Sequence, residues 1–122
     1  MGGRDAQRTG VLGVHRYRRS DRQVHAADTK ACGRDREKEP GALQFEFNIG
    51  NDQKTVDIYE RYTDSKAALF HQTESFGPFA TEFFAVAKLT RWVIYGKPSD
   101  EFKKANADFH PIYMTPFDGF VR

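Results

Sequence analysis

The sequence predicts an α+β domain: an antiparallel sheet with helices on one face, in the split β-α-β order of ferredoxin-like folds. Two alternating segments, residues 43–49 and 56–62, flank a tight reversal and read as a hairpin. Helical spacing follows the hairpin, and a third strand pattern, residues 89–95, follows the helix. An apolar cluster of Val11, Leu12 and Val14 precedes all of these and supplies the first strand of the order.

That cluster predicts a short strand ending near Tyr17. Residues 20–39 allow a helix with Ser20 as N-cap and Val24, Ala27 and Ala31 at helical spacing, broken by Gly33; the alternative is a solvated, partly disordered basic tail. Glu39-Pro40-Gly41 is a turn. Leu43, Phe45, Phe47 and Ile49 then alternate with Gln44, Glu46 and Asn48. Gly50-Asn51-Asp52 reverses the chain into Val56, Ile58, Glu60 and Tyr62, which alternate with Asp57, Tyr59 and Arg61. Thr63, Asp64 or Ser65 caps a helix running to about Ser75, where Gly77-Pro78 breaks it, and Phe79, Phe83 and Val86 share one face of a second helical piece. The third strand puts Trp92 and Ile94 on one face and Arg91, Val93 and Tyr95 on the other. Ser99 or Asp100 caps a short helix through Phe102 and Ala105 to Phe109, Pro111 and Pro116 bracket the extended Ile112-Tyr113-Met114, and the apolar tail from Phe117 packs on the domain or on a partner subunit.

The 122 residues, 39% hydrophobic and 30% charged, suit one domain with a core of its own. Their charge is unevenly spread. Residues 1–38 hold 10 Lys+Arg against 5 Asp+Glu, net +5, whereas residues 39–122 hold 9 against 12, net −3. Of the 17 aromatic residues only Tyr17 precedes Glu39. We therefore read residues 1–38 as a divergent basic segment, carrying the first strand and helix or partly disordered, and residues 39–122 as the main domain with a C-terminal helix and extended tail. The single cysteine, Cys32, excludes an internal disulfide and a multi-cysteine metal or iron-sulfur site within one chain, and a reducing, cytoplasmic setting is the expectation. No apolar run of about 18 residues and no signal-like h-region is present, so no membrane partner is expected. The Arg-rich stretch around Tyr17 lacks interleaved aromatics and reads as a solvated tail rather than a nucleic-acid surface. His15, His25, His71 and His110 do not fall at metal-ligand spacings, so no metal is expected.

Glu39-Pro40-Gly41, the strand after it, Tyr59-Glu60-Arg61-Tyr62-Thr63-Asp64, Ala67-Ala68-Leu69 and His71 with Phe76 and Phe79 together resemble the antibiotic biosynthesis monooxygenase family of dimeric α/β barrels, including its quinol monooxygenases. The resemblance covers roughly residues 39–95. It implies a homodimer built by two sheets, with a pocket in each subunit between sheet and helices. It also implies oxygenation of a quinol or a phenolic or anthrone-like aromatic by molecular oxygen, with no cofactor. The chain departs from the family at Tyr62, where Trp is usual, and at Ile58, where the anthrone oxygenases carry Asn.

Such chemistry needs a base that takes a substrate proton inside a water-excluding pocket. His71 is the candidate base, since its ordinary pKa of about 6.5 suits proton uptake near neutrality; the alternative is a helix residue that merely bonds a neighbouring carboxylate or carbonyl. Glu60 lies on an otherwise apolar strand face and needs a partner, for which His71 or a hydroxyl is expected; the alternative is a purely structural pair. Tyr62 is the candidate donor to a substrate oxygen, and Ile58, Phe45, Phe47, Phe79, Phe83 and Trp92 are candidate pocket walls or plain core. The polar face carrying Gln44, Glu46, Asn48, Asp57, Tyr59 and Arg61 is assigned to the dimer, with Arg61 meeting Glu46 or Asp57 across the dyad. Two other readings stay open: a non-catalytic dimeric barrel binding a small hydrophobic ligand in a stress-response role, and haem binding and degradation, which Tyr62 at the Trp position disfavours.

Overall fold

A computed structural model describes residues 10–19 and 38–120. The predicted helix over residues 20–39 therefore lies outside the described residues, apart from its last two positions. Strands β1 (Val11–Arg19), β2 (Ala42–Ile49), β3 (Thr55–Tyr62), β4 (Ala87–Gly96) and β5 (Ile112–Met114) form one sheet in the order β2-β3-β1-β4-β5. All pairs are antiparallel except β4 with β5. The first four strands have the ferredoxin-like order, and the short β5 extends the β4 edge. Helices α1 (Ser65–Phe70), α2 (Ala80–Val86) and α3 (Asp100–Ala105) cover one face, giving the α+β class that the element order predicts. No helix among the described residues is long and apolar enough to cross a membrane.

The weakest strand pattern in the sequence occupies the centre of the sheet. β1 buries Val11, Gly13, His15, Tyr17 and Arg19 on the helix-covered face, while Leu12, Val14, Arg16 and Arg18 point the other way. Its register sets the site. Gly13 stands opposite Glu60 on β3 and Ile94 on β4, and His15 stands opposite Ile58 and Trp92. Because Glu60 is also opposite Phe45, and Ile58 opposite Phe47, two adjacent cross-strand rows carry Phe45-Glu60-Gly13-Ile94 and Phe47-Ile58-His15-Trp92. On the other face Arg16 makes a two-bond contact with Asp57, at 2.8 and 2.9 Å, so this carboxylate is already engaged within the chain.

Local chemistry starts and stops the helices. Asp64 is the N-cap of α1, its carboxylate accepting from the Ala67 amide at 2.8 Å, and Ser99 caps α3 by accepting from Phe102 at 3.1 Å. The single helix expected to run to Ser75 is instead α-helical only to Phe70, after which His71–Ser75 is a π-helical turn and Gly77–Phe79 a 3₁₀ turn leading into α2. The Ser99 amide donates to Ser65 Oγ at 2.8 Å, fastening α3 to α1, and Phe102, 1% exposed, packs edge-on to Trp92. β4 ends at Gly96, whose φ of +120° disfavours any side chain and whose Cβ would collide with the Gly10 carbonyl. Gly96→Ala is expected to cost roughly 2–4 kcal/mol, read as a lowered urea midpoint at unchanged slope.

Candidate functional site

Between the sheet and the helices lies a pocket of about 870 Å³, of the size that takes a drug-like ligand. Its walls are Ile58, Phe45 and Phe47 from the sheet, Phe76 and Phe79 from the turns after α1, Phe83 and Phe84 from α2, and Trp92 from β4. Besides Gln72, Thr73, Ser75, Glu82 and Asn106 on the helix side, the lining carries a cluster of titratable groups where His15, Glu60 and His71 meet.

The three are joined in a chain with Glu39 at its buried end. His71 Nδ1 lies 3.0 Å from Glu39 Oε2, a hydrogen bond between side chains only 5% and 3% exposed. Its Nε2 is 3.8 Å from Glu60 Oε1. Glu60 Oε2 in turn lies 3.6 Å from His15 Nδ1 and accepts from the Tyr62 hydroxyl at 3.3 Å. The His15 ring is stacked on Trp92 at 4.4 Å between centroids, 21° from parallel. Each link has a local cause. The turn after Glu39 is pinned by the Glu39 carbonyl accepting from Ala42 and the Gly41 carbonyl accepting from Thr63, both at 2.9 Å, and Gly41 is needed because a Cβ there would sit 2.7 Å from Ala67 Cβ. The π-helical turn begins at His71, which places both His71 and Gln72 on the pocket. Gln72 Oε1 accepts from Asn106 Nδ2 at 3.1 Å, linking this wall to the end of α3.

Of the residues singled out from sequence, His71, Glu60, Ile58, Phe45, Phe47, Phe79, Phe83 and Trp92 all line the pocket. Tyr62 does not. It is 4% exposed in the core with Val11, Ala68, Ile94 and Phe102, beside a smaller cavity behind the His15–Glu60 wall, and touches the site through Glu60 and through a tilted ring contact with His71 at 5.7 Å between centroids. Phe76, Phe84 and Gln72 join the lining beyond the sequence candidates, and two members of the polar chain, His15 and Glu39, are also additions. His15 shares the alternation of Val11 and Tyr17, so its inward direction was readable once the strand was accepted. Glu39 looked like a turn residue, and nothing local links it to His71, 32 positions later. Among the described residues, no group of three or more His, Cys, Asp or Glu is gathered to hold a metal ion.

Burial lowers the His15 pKa below 6.5; the charge on Glu60 opposes this and His71 adds to it. An unfolded chain then takes up a proton that folded His15 resists, so this residue makes stability fall as pH drops below about 6.5 and leaves it unchanged above. His15→Gln is expected to lose less melting temperature than the wild type between pH 7.5 and 5.5, measured by thermal melts at both values.

No protein-family model matches the sequence, and no curated protein does. Solved structures do match in fold. MupZ from Pseudomonas fluorescens superposes with a TM-score of 0.79 at 19% identity, over 93% of this chain and 95% of that one. SnoaB, a cofactor-independent oxygenase from Streptomyces nogalater, gives 0.58 at 17% identity over 75% and 95%. A candidate antibiotic biosynthesis monooxygenase from Bacteriodes thetaiotaomicron gives 0.59 at 19% over 67% and 84%. The chain therefore has the fold of the antibiotic biosynthesis monooxygenases. These identities speak to the fold alone.

Proposed function

We propose that the protein is a cofactor-independent monooxygenase acting on a quinol or a related phenolic or anthrone-like aromatic. The observation that carries this reading is the placement of a buried imidazole–carboxylate chain in the wall of a large pocket rich in aromatic side chains. An aromatic substrate fits the Phe-lined walls, and the chain built on His71 and Glu60 receives its acidic proton. The electron-rich anion that remains is the form that reacts with oxygen. The electrons balance without an added reductant: in an anthrone the methylene becomes a carbonyl with one oxygen atom, and its two hydrogens leave as water with the other.

The fold likeness to SnoaB, described as a cofactor-independent oxygenase, supports the same reading. A pocket of Phe, Ile and Val alone would have favoured a passive ligand-binding barrel, but His71 and Glu60 both line this one. The active unit of this proposal is a cytoplasmic homodimer joined through the sheet face bearing Glu46, Tyr59 and Arg61. Phe117, 98% exposed, is then a residue for the partner subunit to cover. The test is oxygen consumption by the purified chain against a panel of quinols and anthrones, compared with His71→Ala. Uptake by the wild type and its loss in the variant is the expected result, and no uptake with any compound moves the reading to the binding protein.

A further inference from the structure

We infer that His15 is the group that takes the substrate's proton, through Nε2, and that Glu39 and His71 act as positioning residues that hold Glu60 against His15 Nδ1. This rests on the oxygenase reading for the kind of substrate, and it names the atom at which the proton arrives.

An imidazole works as a base only through a nitrogen whose lone pair faces the substrate. Both nitrogens of His71 face carboxylates, Nδ1 towards Glu39 at 3.0 Å and Nε2 towards Glu60 at 3.8 Å. A proton on each makes His71 a cation between two anions, in a site where either carboxylate alone would be a costly buried charge. His15 is arranged differently. Its Nδ1 is 3.6 Å from Glu60 Oε2, its ring lies against Trp92, and it lines the large pocket. Nδ1 makes no hydrogen bond among the described residues, and Glu60 is the carboxylate it faces; a proton on Nδ1 leaves the free lone pair on Nε2.

Gly13 makes room for this arrangement. A Cβ there would stand 3.2 Å from Trp92 Nε1 and 3.7 Å from His15 Cε1, so the missing side chain lets the stacked pair sit close to β1. The charged groups facing His15 are Glu60 from β3 and His71 from the π-helical turn, while Tyr17 and Trp92 present uncharged rings from β1 and β4. Burial outweighs Glu60 and keeps His15 neutral near pH 7, which is the form a base requires. In the step itself the substrate O–H or C–H bond breaks, its electron pair stays on the substrate, and the proton forms a bond to Nε2. The resulting imidazolium keeps Nδ1–H directed at the Glu60 carboxylate.

Two measurements test this on the full chain. Long-range ¹H–¹⁵N spectra near pH 7, assigned with His15→Gln and His71→Gln, are expected to show His71 protonated on both nitrogens and neutral His15 protonated on Nδ1. An unprotonated His71 Nε2, or neutral His15 protonated on Nε2, overturns the inference. In turnover, His15→Ala is expected to lose roughly 10²–10⁴-fold in kcat and to regain part of it with added imidazole, which fills the space left on the pocket wall. Wild-type kcat in His15→Ala, or imidazole rescue of His71→Ala in its place, also overturns it. Absence of uptake by the wild type counts against the oxygenase reading instead, and the spectra then decide the protonation pattern by themselves.

Discussion

Replacing Glu39 with alanine is expected to cost about 3–5 kcal/mol of folding stability, among the largest single losses this chain can show. The variant leaves His71 Nδ1 with its 3.0 Å partner gone, in a site where both side chains are almost wholly buried. Water does not readily enter to replace the carboxylate, so the desolvation cost of the imidazole remains uncompensated. Glu39→Gln keeps an oxygen that can accept from Nδ1 while removing the charge, and its loss is expected to be smaller, about 1–2 kcal/mol. Urea unfolding of the wild type and the two variants checks the order. Equal, small losses for both would show that Glu39 does not hold His71.

The second large effect is on rate. Glu60→Gln is expected to reduce oxygen uptake by roughly 10²–10⁴-fold while leaving the fold intact, since the amide fills the same space beside Tyr62, His15 and His71. The carboxylate favours the imidazolium that forms when the substrate loses its proton, and a neutral amide does not. Paired measurements on an oxygen electrode and by thermal melting separate the two roles. A changed melting temperature with untouched uptake would leave Glu60 a purely structural partner.

The hairpin was legible because its two strands alternate cleanly and its turn has its own chemistry: Asp52 accepts from the Lys54 and Thr55 amides at 2.9 and 2.8 Å and from the Thr55 hydroxyl, which pulls its carboxyl down to about 2. β1 was nearly hidden for the opposite reason. Its inward face carries Gly13, His15 and Arg19 among only two large apolar side chains, because a central strand can be held by ladders on both edges while its side chains serve the pocket. Strand faces and helix spacing placed the Phe residues on the inner side, as wall or as core, and left His71 or a hydroxyl as the partner of Glu60; the structure puts His71 there. The π-helical turn has no local sequence signature, and the Glu39–His71 contact joins segments that only the tertiary fold brings together. Tyr62 shares the strand face of Glu60, but that face continues past the pocket into the core under α1 and α3, where Tyr62 stops.

In the proposed reaction this pocket transfers an atom of molecular oxygen to an aromatic substrate whose proton the imidazole–carboxylate chain removes. The most direct test of this reaction is turnover of an anthrone or quinol under ¹⁸O₂ by protein dialysed against a chelator and free of flavin absorbance. The expected product carries one ¹⁸O atom per molecule, formed at a rate that falls with Glu60→Gln. Binding of the same compounds without oxygen uptake would contradict it and leave a barrel that holds its ligand unchanged.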